Sequence, residues 1–166
     1  MIELLNEALS AKNIVGMTVM RSYQPTDING KNLILINKIS SRRYGWRGRH
    51  NKLINNIMTH IEKYFQEMRF QISVLKKINI SDASEITAAD IANKIVDYFL
   101  SDKGLKSLRN KGYMPLRVVD VRDTNFVNEN ENYQFNPNFD LICTIEQEIV
   151  ENQDVLDGYD FTLKGV

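Results

Sequence analysis

Residues 40–51, SSRRYGWRGRHN, hold four arginines, two aromatics and a histidine in twelve positions. Guanidinium groups spaced this way could meet phosphates, with Tyr44 and Trp46 stacking on bases or clamping the backbone. Two other uses fit the same residues. The stretch could be a solvated loop with Trp46 tucked onto the core. In a homo-oligomer it could also be a basic loop that meets an acidic strand or tail of the next subunit. The candidate interaction residues are therefore Arg42, Arg43, Trp46, Arg47 and Arg49, with Glu146, Glu148, Glu151 and Asp154 as acidic counterparts. They would face either nucleic acid or a neighbouring subunit. In a chain of zero net charge, one short patch does not by itself mark a nucleic-acid binder.

Little else in the sequence could do chemistry. His50 and His60 are the only histidines, and no HExxH, CxxC or EF-hand spacing is present. There is no glycine-rich phosphate loop and no GxSxG elbow. Asp120, Asp140, Glu146 and Glu148 could be arranged as the carboxylate cluster of a Mg²⁺ nuclease, but strands with a few outward acids give the same pattern. Cys143 is the lone cysteine, so no internal disulfide forms, and it reads as a small core side chain. The residues thus predict no catalytic centre, no metal and no cofactor.

The elements that must position these residues belong to a chain of 166 residues, 43% hydrophobic and 25% charged, which is the balance of one soluble globular domain. The N-terminal stretch lacks the basic start and long apolar run of a signal peptide, and nothing approaches the roughly 20 apolar residues of a membrane span. The expected place is the cytoplasm or a particle built there. Charge is uneven along the chain. Residues 1–83 carry 13 basic and 6 acidic side chains, and the remainder carries 8 and 15. Part of the acidic excess sits in residues 146–160, EQEIVENQDVLDGYD.

Periodicity predicts a short amphipathic helix over 2–12 and a strand over 14–23. PTDINGKN, with Asn29-Gly30, predicts a hairpin turn leading to a return strand at 33–40. Gly45 and Gly48 make 40–51 read as a loop. Residues 67–76 alternate as a strand, whereas 53–65 fits either a helix or the start of one very long strand. Thr87 with Asp90 three residues on predicts a capped helix striped by Ile91, Ile95, Tyr98 and Phe99. It should break near Ser101, resume, and end at Gly112. Residues 114–123 then predict a strand, 125–132 a polar connection, and 133–150 a second strand. In that strand Phe139, Leu141, Cys143 and Ile145 face opposite Asp140, Ile142, Thr144 and Glu146.

The runs MRFQISVLKK, TAADIANKIVDYFLSDKGLKSLRNKGYMPLRV and NYQFNPNFDLICTIEQEIV resemble the neck and tail terminator proteins of tailed bacteriophages. The features that carry the resemblance are Phe70 to Val74, Ala88 to Leu100, Ser101, Gly112, Arg117 and Phe139-Asp140, within residues 14–150. The resemblance implies an α+β fold, a mostly antiparallel β-sheet packed against helices. It favours the extended form for residues 57–65. It further implies a structural virion protein without cofactor or active site, a ring subunit, commonly one of six, that caps the tail tube and joins the tail to the head connector. The partners so implied are further copies of the chain, the tail tube protein and the head-completion protein, with non-specific contact to DNA in the channel. A small nucleic-acid-binding accessory protein using residues 42–49 is the alternative. The short N-terminal helix and the acidic C-terminal segment have no counterpart in the resemblance.

Overall fold

A computed structural model of the chain describes residues 1–23, 32–55, 57–76, 85–127 and 133–153. In chain order the elements are α1 (Ile2–Ala11), β1 (Thr18–Arg21), β2 (Leu33–Ile54), β3 (Ile57–Leu75), α2 (Ala88–Leu100), α3 (Asp102–Asn110), β4 (Tyr113–Val118), β5 (Arg122–Val127) and β6 (Tyr133–Gln153). The strands form one mixed sheet in the order β1-β2-β3-β6-β4, with β5 pairing to β6. The three helices pack on one another and the sheet packs against them, so the fold is α+β. Among the described residues no helix is long and apolar enough to cross a membrane.

The helices begin and end where side chains satisfy their free backbone groups. At the start of α2 the Thr87 hydroxyl accepts from the Asp90 N–H at 3.1 Å, while the Asp90 carboxylate accepts from the Thr87 N–H at 3.0 Å. This is a complete capping box. The Thr87 hydroxyl also donates to the Asp90 carboxylate at 2.7 Å, and that bond, ahead of the backbone one, holds the Asp90 pKa below its ordinary value. Ser101 serves both sides of the α2–α3 break: its hydroxyl donates to the Tyr98 carbonyl at 2.6 Å and accepts from the Gly104 N–H at 3.2 Å. A Cβ on Gly104 would overlap the Tyr98 carbonyl, so glycine is what allows α3 to begin so close to α2. Gly112, at φ +79°, follows α3 and turns the chain into β4.

The apolar alternation of the central strands supplies the core. Ile34 and Ile36 of β2, Met68, Phe70, Ile72 and Val74 of β3, and Phe139, Leu141 and Cys143 of β6 gather with Leu4, Leu5, Ile91, Ile95 and Phe99 of the helices. Burying each large apolar side chain stabilises the fold by roughly 1.5–3 kcal/mol before the entropy of ordering it. The alternate residues of β6, Asn138, Asp140, Ile142 and Thr144, lie outside this cluster yet are also buried.

Several expectations change. β1 is only four residues long, and it pairs with β2 in parallel, from Thr18 opposite Leu33 to Arg21 opposite Ile36, so the two strands are not a hairpin. Asn29-Gly30 lies outside the described residues. An Asn-Gly pair specifies a local turn, but it does not fix the direction of the partner strand. Residues 40–51 are not a loop: β2 runs straight through them. Gly45 adopts φ +79°, the conformation of a bulge residue that bends a strand without ending it. Residues 53–65 are extended, interrupted only at 55–56, where Asn55 takes φ +51° in the two-residue link between β2 and β3. So short a link leaves β2 and β3 only the antiparallel arrangement. The expected strand over 114–123 divides into β4 and β5. Residues 125–127, expected to be connection, are strand, because β6 offers β5 an antiparallel ladder from Asn138 back to Tyr133.

By contact density the chain divides into two compact units. The first comprises residues Met1–Arg42 and Gln66–Ile145, and holds all three helices, β1, β4 and β5. The second comprises residues Arg43–Phe65 and Glu146–Val166, of which the described part is the later half of β2, the first half of β3 and the end of β6.

Candidate functional site

The residues singled out for interaction fall mainly in the second unit, on strands rather than on a loop. Arg43 is exposed, with its guanidinium carbon 4.3 Å from the centre of the Tyr64 ring, a cation–π contact that holds the arginine along the strand pair. Tyr44 meets Phe65 with ring centroids 6.4 Å apart, and Gly45 lies under the same phenyl ring. Arg49 lies 3.6 Å from Glu62 and keeps 60% of its side chain exposed. Arg42 is exposed on β2 at the end of the first unit. Trp46 and Arg47 belong to β2, and their side chains lie outside the described set, as does Asp154.

The acidic candidates occupy β6. Lys63 of β3 lies 3.2 Å from Glu146 and 3.7 Å from Glu148. The hydrogen bond to Glu146, followed by the charges of Glu146 and Glu148, raises the Lys63 pKa above its ordinary value. Glu151 is exposed further along β6. Among the described residues the ion pairs on these strands join Arg49 to Glu62 and Lys63 to Glu146 and Glu148, not the basic candidates to the acidic ones. β3 stands between β2 and β6, and it contributes one counter-charge to each side, Glu62 and Lys63.

Apolar residues at the end of the β2–β3 hairpin add to this surface. Leu53, Ile54, Ile57 and Met58 are all exposed, Leu53 at 58% and Ile57 at 46%. They flank the link at 55–56, next to the polar pair His60–Asn51, whose side chains hydrogen-bond at 2.8 Å. A cluster of large apolar side chains at a strand turn, rimmed by charge, has the composition of a protein contact surface.

The first unit contains a polar arrangement that the spacing of residues did not reveal. Asp140, fully buried on β6, accepts through Oδ2 from Arg69 Nε at 3.1 Å and from Arg122 Nη2 at 2.9 Å. Arg69 Nη2 makes a further bond to the same oxygen. Gln71 reaches Asn138 at 3.4 Å, so two residues forward on β3 match two residues back on β6, which is antiparallel pairing. A single acid within the apolar run FDLIC was the available signal, because a buried carboxylate needs a cationic partner. With its Oδ2 engaged by two guanidinium groups, Asp140 ties β6 to Arg69 of β3 and Arg122 of β5. Among the described residues no three potential metal ligands gather in one place.

The first unit also holds a groove of about 600 Å³, lined by Arg21, Tyr23, Lys38, Phe70, Lys111 and Tyr113 among others. Arg21 donates to the Tyr23 hydroxyl at 2.9 Å, and Lys111 pairs with Glu3 of α1, an ion pair that lowers the Glu3 pKa and raises that of Lys111. These contacts tie Arg21 and Lys111 to the groove's own walls.

Compared with known proteins, residues 1–155 match the family model described as E217 gateway protein gp29. No curated protein matches the chain.

Proposed function

The chain belongs to the family of the E217 gateway protein gp29, a bacteriophage structural family, and from that premise we propose that it is a head–tail joining subunit of the virion neck. In this reading, copies close into a ring, commonly of six, that ends the tail tube and docks the tail to the head connector. The work is done by surface complementarity, not catalysis, and no cofactor takes part. The observation that carries the reading is the second unit: three strands with basic side chains on β2, acidic side chains on β6 and an exposed apolar turn. A surface with two unlike sides suits a heterologous contact, and such contacts close into rings when the rotation between copies allows.

Mass measurement of the purified protein, alone and mixed with tail tube and head-connector proteins, tests the proposal. The expected result is a closed oligomer that joins neck or tube complexes. A chain that stays monomeric at every concentration and never enters such complexes would overturn it.

A second use of the basic strand is compatible with the first. Arg42, Arg43 and Arg49 remain exposed, so in a ring around the genome's path they would contact phosphates without reading sequence. Duplex DNA should then bind the assembled ring with an affinity that falls steeply with salt, and replacing the arginines should flatten that dependence.

A further inference from the structure

Strands β2 and β6 each outrun their neighbours. β1 covers the outer side of β2 only from Leu33 to Ile36. On β6, β5 covers Tyr133–Asn138 and β4 covers Leu141–Ile145. Beyond those limits, among the described residues, no strand pairs with the outer side of either. Among the described residues the second unit is thus a three-stranded piece of sheet, β2-β3-β6, with β2 and β6 as its outer strands.

The two edges differ in sign. From 43 to 54, β2 carries Arg43, Arg47, Arg49 and Lys52 and no acid. From 146 to 153, β6 carries Glu146, Glu148 and Glu151 and no base. The salt bridges within the chain leave these groups largely in water, with Glu146 51% and Glu148 43% exposed, so their charge remains available to a partner.

We infer that the basic edge of β2 in one copy pairs with the acidic edge of β6 in the next, so that the sheet continues from subunit to subunit. The inference rests on the ring reading above and specifies the contact that makes the ring. Charge on an exposed edge commonly serves to prevent pairing, and each edge here does repel its own kind. Because the edges are of opposite sign, β2–β2 and β6–β6 contacts are disfavoured while β2–β6 is attracted. That selects head-to-tail association over a two-fold dimer. The direction also follows. β2 and β6 both run antiparallel to β3, so they run parallel to each other. A rotation about an axis along the strands preserves this, and the joint between copies is a parallel one.

Cysteine trapping tests the joint directly. Within one chain β2 and β6 are two strand spacings apart, about 9.5 Å, which exceeds the roughly 7 Å that a disulfide spans. Lys52→Cys combined in turn with Glu146→Cys, Glu148→Cys and Glu151→Cys can therefore bridge only between copies. Cys143 is buried, with its pKa pushed up to about 12 by burial, and stays out of the reaction. Mild oxidation should give a ladder of covalent oligomers for at least one pair. Rings that form without any ladder would overturn the edge pairing and leave the ring reading intact. A ladder seen only when tube protein is present would also overturn it. A chain that never associates would remove both.

Charge exchange supplies a second readout that does not depend on register. Arg49→Glu with Lys52→Glu, or Glu148→Lys with Glu151→Lys, should each raise the concentration needed for assembly by about tenfold or more. An equimolar mixture of the two variants should restore it to within about threefold, since each reversed edge then meets an attractive one. Variants that assemble as well alone as the parent would refute the pairing. Unchanged melting of each variant confirms that folding is not what was altered.

Discussion

The two units place their apolar residues in opposite ways. In the first, the sheet face made by Ile34, Ile72, Val74, Phe139 and Leu141 is closed by helices, and those side chains are buried. In the second, only Thr59, Ile61 and Tyr64 are buried among the described residues, while Leu53, Ile54, Ile57, Phe65 and Val150 are exposed. The first unit holds the buried core. The second carries surface that gains free energy only when something covers it. The difference separates residues that make the protein stable from residues that make it associate. The two sets should respond to mutation independently.

The largest effect should come from the closed side. Phe139→Ala removes a fully buried ring where β6 meets the helices and should cost about 3–5 kcal/mol, a large share of the roughly 5–15 kcal/mol stability of an ordinary domain. Urea unfolding measures it; Val150→Ala, at an exposed position of the same strand, should stay within about 0.5 kcal/mol. Asp140→Ala comes next. It strands Arg69 and Arg122 and should cost about 2 kcal/mol, less than a fully buried pair, because the two arginines are 38% and 49% exposed. Gly104→Ala gains helix propensity but forces a methyl group onto the Tyr98 carbonyl, leaving a net loss of roughly 1 kcal/mol.

A smaller effect should appear as a pH dependence. The Asp90 pKa is lower in the folded chain than its ordinary 3.8, so the carboxylate stabilises the fold at pH values above 3.8. That contribution is lost as the pH falls through the folded value. Asp90→Asn should therefore melt below the parent at neutral pH and converge with it in acid. Parallel melting curves across that range would show that the capping box adds nothing.

The parts of the fold that were legible in the sequence are those decided locally. Thr87 and Asp90 announce a helix start because the cap is built from residues three apart, and Gly112 announces an end because few other residues accept its backbone angle. The two faces of β6 were legible from alternation alone. What was hidden depends on the partner. Gly45 marks a positive φ, but whether the chain turns there or bulges is settled by β3, whose Tyr64 and Phe65 carry Arg43, Tyr44 and Gly45 onward as strand. The polar residues of β5 form a strand because β6 supplies the ladder. For the candidate site, the sequence revealed opposite charges in two segments. Only the strand order shows that these charges lie on strands separated by β3, which supplies each side with its own counter-charge, Glu62 and Lys63.

The sharpest test of the comparison is the change that should leave stability least affected. Leu53 and Ile57 stand on either side of the β2–β3 turn, 58% and 46% exposed. Replacing both with serine removes little buried area from the isolated chain, so its unfolding free energy should move by no more than about 0.5 kcal/mol. If the turn is a contact surface, the same two changes remove apolar area that a neighbour would bury, at roughly 25 cal/mol per Å². Assembly, followed by sedimentation against concentration, should then weaken by tenfold or more, on the order of 1.4 kcal/mol. A double variant that melts like the parent but no longer associates would separate the two units as argued. One that assembles unchanged would mean that the exposed turn is ordinary surface, leaving the charged edges alone to account for contact between copies.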